Sequence, residues 1–169
     1  MGAQKVVILN AHQIEQKIKR IAYQIYENNV NERELILAGI APNGSLFAEK
    51  LATLLKQISP IRITVANIKL NKKNPLENNI EVSIHPDAWI NKSIIIVDDV
   101  LNSGKTLIYA VHHFLNNPLK NIQTAVLVDR SHKQFPVYAN YVGLSLATTL
   151  QEHVEVVFNG DGNDVAYLI

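Results

Sequence analysis

No cysteine occurs anywhere in the 169 residues, which excludes disulfides and thiolate metal sites and agrees with a reducing compartment. Charge of one sign is missing as well. Sixteen basic residues against fifteen acidic ones leave a formal net charge of +1, which speaks against a broad nucleic-acid footprint while leaving room for a local patch. No apolar stretch approaches the roughly eighteen residues that span a bilayer, and Val6-Val7-Ile8-Leu9 is too short for the apolar core of a secretion signal. A soluble, cytoplasmic protein with no membrane partner is expected. The six histidines show no metal spacing, since His112 and His113 are adjacent and face different sides of a helix. Arginine is scarce: Arg20, Arg33, Arg62 and Arg130 are the only four, so most positive charge here sits on lysine point charges rather than on bidentate forks. No repeat, low-complexity tract or linker divides the chain. With 47% hydrophobic residues it reads as one globular domain over residues 1–169, large enough to bury a sizeable core.

What is present alternates between strand and helix. Val6 to Leu9 reads as a short strand, with Asn10 and Gln13 spaced as a capping box for the helix that follows. Ile14, Ile18, Ile21, Ala22 and Ile25 fall on one face of that helix. Leu35 to Ile40 is a continuous apolar run, hence a buried strand; it feeds the turn Ala41-Pro42-Asn43-Gly44 and a helix from about Ser45 to Gln57. Ile61, Ile63 and Val65 alternate with polar residues, so the third strand should have one wetter face. Residues 71–79, rich in asparagine and lysine with one proline, read as a mobile loop. A returning strand is expected over Ile80–Ile84, a buried one over Ser93–Val97, a helix over Lys105–Leu115 and another interior strand over Thr124–Val128. Trp89, with Pro86 and Asp87, should pack the loop before the central strand. Val154, Val156 and Phe158, the turn Gly160-Asp161-Gly162, and Val165 to Leu168 read as a closing hairpin. This alternation implies a parallel sheet with helices on both faces, in which ligands bind at the carboxyl ends of the strands. Three loops then meet at one edge: Ala41–Gly44, Asp98–Thr106 and the segment from Asp129-Arg130.

The most informative stretch is Ile94-Ile95-Ile96-Val97-Asp98-Asp99-Val100-Leu101-Asn102-Ser103-Gly104-Lys105-Thr106. A strand buried on both faces ends in two carboxylates, then a small polar turn, then a helix. Such a turn leaves backbone N–H groups unpaired at the positive end of a helix dipole, a geometry that holds phosphate. Carboxylates beside it would repel phosphate alone, but they accept hydrogen bonds from the vicinal hydroxyls of a ribose. The segment reads as a grip for ribose 5-phosphate. Gly104-Lys105-Thr106 also matches the end of an ATP- or GTP-binding P-loop, yet that pattern needs a glycine where Asp99 stands, and the carboxylate would fill the space of the phosphate.

Four apolar residues, two acids, two apolar residues and a small glycine-containing loop ending in threonine resemble the phosphoribosyl-pyrophosphate (PRPP) motif of type I phosphoribosyltransferases. The likeness extends along nearly the whole chain. Leu127-Val128-Asp129-Arg130-Ser131-His132, Pro136 and Tyr141-Val142-Gly143, together with Val6–Leu9, Arg20-Ile21-Ala22 and Leu37–Ile40, resemble the PyrR family of bifunctional pyrimidine operon regulators and uracil phosphoribosyltransferases. The resemblance implies an α/β fold with a central, mostly parallel sheet flanked by helices, a small hood and a mobile loop. It implies transfer of ribose 5-phosphate from magnesium-bound PRPP to a pyrimidine base, with uracil giving UMP and pyrophosphate. Asp98 and Asp99 would be the catalytic pair, holding the ribose hydroxyls and metal-bound water. Asn102, Ser103, Gly104, Lys105 and Thr106 would bind the 5-phosphate. The backbone of Pro42, Asn43 and Gly44 would bind pyrophosphate, and Arg130, Tyr141 and Val142 would line the base pocket. Asn102 stands where 6-oxopurine relatives have an aspartate, which makes a purine acceptor the less favoured one. The departures concern arginine. The family's Thr-Arg-Gly turn is Pro42-Asn43-Gly44 here, and its Leu-Tyr-Arg-Asp run is Leu70-Asn71-Lys72-Lys73. Lys72 or Lys73 either substitutes as a point charge on pyrophosphate or belongs to a solvated loop. Three readings stay open: an active pyrimidine phosphoribosyltransferase, a nucleotide- or PRPP-sensing RNA-binding regulator with little turnover, and an enzyme shifted to another acceptor base. By analogy with the family, a homodimer or higher homo-oligomer is expected.

Overall fold

The computed structural model describes residues 4–169. Strand β1 (Val6–Leu9) leads through the Asn10 cap into helix α1 (Ala11–Asn28). The capping box is complete: Asn10 Oδ1 accepts from the Gln13 amide and Gln13 Oε1 from the Asn10 amide, both at 2.9 Å. The five apolar positions read from the spacing are the five buried residues of α1, and each isoleucine taken out of water there contributes about 1.5–3 kcal/mol.

Strand β2 (Glu34–Ile40) and helix α2 (Asn43–Ile58) follow, then β3 (Arg62–Lys69), the short β4 (Glu81–Val82) and a single 3-10 turn at Pro86–Ala88. Next come β5 (Ser93–Leu101), α3 (Lys105–Phe114), β6 (Asn121–Asp129), β7 (Tyr141–Ser145) and the antiparallel pair β8 (Val154–Val157) and β9 (Val165–Leu168). The main sheet has the order β4-β3-β2-β5-β6-β7. All its pairings are parallel except β3 with β4. The isoleucine run of β5 serves two cores at once: Ile95 and Val97 pack with α1 and α2, while Ile94 and Ile96 pack on the other face with α3 and Trp89. This double coverage is why β5 reads as an unbroken apolar run.

Several boundaries differ from the sequence reading. β5 runs on through both aspartates to Leu101, because Asp98 and Val100 keep their ladder partners Val126 and Val128 on β6. Helix α2 starts at Asn43, so Asn43 and Gly44 form its first turn instead of a free loop. The returning strand shrinks to two residues beside Ile68 and Lys69. β1 lies outside the main sheet; it pairs with β9 in a three-stranded sheet of order β1-β9-β8. This small sheet forms the hood, and α2 holds it down. Phe47 stacks on Phe158 with centroids 6.2 Å apart, the buried Asp164 carboxylate meets Lys50 Nζ at 2.9 Å, and Asn43 Nδ2 donates to the Val156 carbonyl at 2.9 Å.

Candidate active site

The carboxyl ends of β5 and β6, the first turn of α3 and the loop after β3 enclose a cleft of about 350 Å³, lined by Lys72, the run 98–107, Val126 and Val154. Asp98 is 4% exposed. Its Oδ1 accepts from the Asp99 amide at 2.9 Å and meets Lys72 Nζ at 3.3 Å. Asp99 is fixed from the other side: Oδ2 accepts from Asn43 Nδ2 at 2.8 Å and Oδ1 from the Val100 amide at 2.9 Å. Asn43 thus joins the second carboxylate, the start of α2 and strand β8. Sequence reading placed Asn43 here only through its backbone. Nothing in the local spacing announces a side-chain partner 56 positions away.

The turn after β5 has the form expected of a phosphate cradle. Gly104 caps α3 at φ +84, and a Cβ there would approach Val137 Cγ1 to 2.5 Å; only glycine combines that left-handed backbone with that contact. Ser103 Oγ accepts from the Lys105 amide at 3.3 Å, and the Ser103 carbonyl takes the amides of Gln134 and Phe135 at 2.8 and 3.1 Å. The cradle is therefore braced by the segment after β6. The first-turn amides of α3 have no partner within the helix and face the cleft end, where the dipole favours an anion. Asn102, Ser103, Gly104, Lys105 and Thr106 all line the cleft.

Of the two loop lysines, only Lys72 lines the cleft. Lys73 contributes its carbonyl, which accepts from Lys105 Nζ at 3.2 Å. Pro42 is the N-cap of α2, and Pro42, Asn43 and Gly44 stand beside the cleft rather than on its lining. Arg130 is 7% exposed and engaged through all three of its nitrogens. Nε donates to Thr148 Oγ1 at 3.0 Å, Nη1 to Asn102 Oδ1 at 2.9 Å, and Nη2 to the carbonyls of Thr149 and Glu152. His132 Nε2 contacts the Thr148 carbonyl. Arg130 and Asn102, with residues 131–134 and Leu150, line a second depression next to the cleft.

Tyr141 and Val142 do not line the cleft: β7 pairs with β6 with Tyr141 opposite Ala125 and Val142 opposite Val126, the latter a lining residue of the cleft. Tyr141 is 1% exposed; its hydroxyl donates to Gln123 Oε1 at 3.1 Å and accepts from Asn29 Nδ2 at 3.3 Å, closing the end of α1 over the sheet. Val142 packs with the α3-side core. Trp89 also behaves as core, edge-on to Phe114 at 5.0 Å.

Burial first, and the neighbouring Asp99 charge second, push the Asp98 carboxyl up to about 8, against the pull of Lys72. A carboxyl raised above its unfolded value holds its proton more tightly in the folded chain. The stability this supplies is complete below the unfolded value of 3.8 and is lost as the pH climbs to about 8. Through this group the unliganded protein is expected to lose stability across that window. Asp98→Asn stays neutral at every pH, so it is expected to remove that slope and to raise Tm at about pH 9 by roughly 5 °C or more. Thermal unfolding at a series of pH values checks this; identical profiles for wild type and variant would refute it.

A family model described as Phosphoribosyl transferase domain matches residues 7–158. The Bifunctional protein PyrR of Bacillus pumilus (strain SAFR-032) is 36% identical over 172 residues, with 96% of each chain covered. The protein of the same name from Clostridium novyi (strain NT) is 34% identical over 163 residues, covering 90% of each. Among solved structures, the hypoxanthine phosphoribosyltransferase of Trypanosoma cruzi superposes with a TM-score of 0.75 at 17% identity, over 95% of this chain and 94% of that one. A hypoxanthine-guanine phosphoribosyltransferase from Bacillus anthracis str. 'Ames Ancestor' gives 0.73 at 18% identity over 96% and 97%. At such identities the likeness is one of fold.

Proposed function

The chain belongs to the phosphoribosyl transferase domain family, within its PyrR branch and with the type I fold, and on that footing we propose that it transfers ribose 5-phosphate from PRPP to uracil, yielding UMP and pyrophosphate. The observation that carries the reading is the pair Asp98 and Asp99 at the end of β5, lining one cleft with the first turn of α3. In the reaction the bond from ribose C1 to the pyrophosphate oxygen breaks, a bond from C1 to the base nitrogen forms, and the proton of that nitrogen leaves to solvent. The transition state is cationic at the ribose, so the chain contributes by holding the sugar and stabilising the leaving group. The amides of 102–106 and the hydroxyls of Ser103 and Thr106 anchor the 5-phosphate. Asp98 and Asp99 accept from the ribose hydroxyls, with Asn43 keeping Asp99 in place. Pyrophosphate departs toward the first turn of α2 and the Lys72 side chain. The base lies on the Arg130 side, where the main chain after β6 offers it donors and acceptors. Asp98 and Asp99 are hard oxygen donors that would hold a magnesium ion arriving with PRPP, and such an ion would supply positive charge to the leaving pyrophosphate. Residues 1–169 act as one domain in the cytoplasm, as a homodimer or larger homo-oligomer.

One observation favours a second reading. Four of the five N–H groups of Arg130 are engaged within the protein, so it has no free fork for pyrophosphate, and bidentate contacts are the strong ones. The second reading is a sensor that binds PRPP or UMP and an RNA, with little turnover. Pyrophosphate release from PRPP and magnesium, measured with uracil, orotate, hypoxanthine and guanine in turn, separates the two. Uracil-dependent release is the expected result. No release with any base, while PRPP or UMP still binds, would replace the enzyme by the sensor, and release with a different base would reassign the acceptor.

A further inference from the structure

We propose that Asn43 is a positioning residue that couples the hood to the acid pair: the end of β8 that walls the cleft keeps its place only while Asp99 holds the Asn43 amide. The proposal deepens the reading above and rests on it only for the ligand that Asp99 would receive. One nitrogen makes both contacts. Asn43 Nδ2 donates to Asp99 Oδ2 at 2.8 Å and to the Val156 carbonyl at 2.9 Å. A carboxamide nitrogen carries two hydrogens, so its donor capacity is fully used. Two residues before Val156 on the same strand, and therefore on the same face of it, Val154 lines the cleft together with Asp98 and Asp99. The amide thus stands between a cleft wall and a cleft carboxylate, and the rotamer that reaches one contact is the rotamer that reaches the other.

The rest of the hood is held further along α2. Asn43, Phe47 and Lys50 follow at i, i+4 and i+7 and share one stripe of the helix. Phe47 takes the Phe158 ring and Lys50 the Asp164 carboxylate, about one and two turns beyond Asn43. Losing the Asn43 bond therefore frees the cleft end of β8 while the far end stays anchored. The bond to Asp99 is the charge-assisted one, about twice as strong as a neutral bond, so it fixes the amide and the Val156 carbonyl follows. Coupling of this kind is reciprocal. Whatever draws Asp99 from its place loosens the hood, and whatever loosens the hood weakens the hold of Asp99 on a ligand by the same factor.

Hydrogen exchange across residues 153–158 of the full chain reads the coupling without any ligand. Asn43→Ala and Asp99→Ala are each expected to speed exchange there roughly tenfold, and the double variant no more than either single one. Asp98→Asn relieves the same repulsion between the acids but leaves Asn43 its acceptor, so it is expected to match wild type. A merely structural Asn43 would loosen the hood in its own variant and leave the hood indifferent to Asp99. Wild-type exchange in Asp99→Ala, additive effects in the double variant, or equal loosening in Asp98→Asn would each overturn the proposal. Calorimetry of UMP binding reads the reverse direction. Phe158→Leu thins the far anchor and is expected to weaken UMP about fivefold in the wild-type background, and not at all beside Asn43→Ala. The same loss in both backgrounds would also overturn the coupling. Should UMP not bind wild type, the proposed ligand falls while the exchange cycle still decides the role of Asn43.

Discussion

Gly44→Ala is expected to cost about 3 kcal/mol of stability, and with it roughly 6–12 °C of Tm, and to abolish PRPP binding even well below the new midpoint. Gly44 lies in the first turn of α2, pressed against β5 at the point where the acids begin. An added Cβ would meet the Val97 carbonyl oxygen at 2.5 Å, Asp98 Cα at 3.1 Å and Asp98 Oδ1 at 3.3 Å. The nearest of these atoms is backbone in a central strand, and it cannot yield as a flexible side chain would. Gly39 shows the same crowding from the β2 side, since its Cβ would come within 2.5 Å of the Gly44 carbonyl oxygen. Helix propensity works the other way, because alanine is favoured over glycine inside a helix by about 1 kcal/mol; the clash is larger and decides the sign. The helix must back away from the sheet, and Asn43 moves away from Asp99 with it. Gly160→Ala is the control. A Cβ at Gly160 would meet nothing within 4 Å, so its effect should stay within about 0.5 kcal/mol. Thermal unfolding of the two variants side by side checks the argument, and a Gly44→Ala protein as stable as Gly160→Ala would refute it.

A loss on the order of 3 kcal/mol is likewise expected from Arg130→Ala, for a different reason. The guanidinium joins Asn102 in the phosphate cradle to Thr148, Thr149 and Glu152 in the chain that enters the hood. Truncation leaves those partly buried acceptors without their shared donor, and an acceptor so stripped costs more than the bond itself contributed wherever water cannot replace it. Arg130→Lys should restore little of this, because one ammonium on a flexible stem cannot reproduce three nitrogens held in a plane. Hydrogen exchange should become faster across residues 146–153 in both variants. UMP affinity should fall about tenfold as Asn102 loses its orientation. A lysine variant indistinguishable from wild type in unfolding and exchange would mean that Arg130 does not carry the segment.

Lys72 and Arg130 reverse the roles that their types and positions suggest. The arginine, expected at the base, is spent on holding the protein together. The lysine, expected to await pyrophosphate on a loop, is already in the cleft against a carboxylate. The scarcity of arginine thus leaves the positive charge that lines the cleft to ammonium groups, which act as point charges.

By itself the sequence determined most of the strands and helices, β7 excepted, and the faces they bury, as with Ile14, Ile18, Ile21, Ala22 and Ile25 on α1 or the isoleucines of β5. It also brought two acids, a glycine and a helix start together in the run Asp98–Thr106, the pattern from which a grip for a phosphorylated ribose is proposed. Both are local facts: period, capping and turn chemistry act over a few residues, and the two acids, the glycine and the helix start of the cradle are contiguous. Only the tertiary structure decided which partner each polar side chain of the site took. Asn43 with Asp99 and Lys72 with Asp98 are separated by 56 and 26 positions, and no short-range pattern encodes such pairings. Tyr141 went to the closing of α1, where the register that sets it opposite Ala125 brings its hydroxyl to Asn29 and Gln123. The strand's apolar pattern states only that a residue is buried; the register that packing selects states beside what.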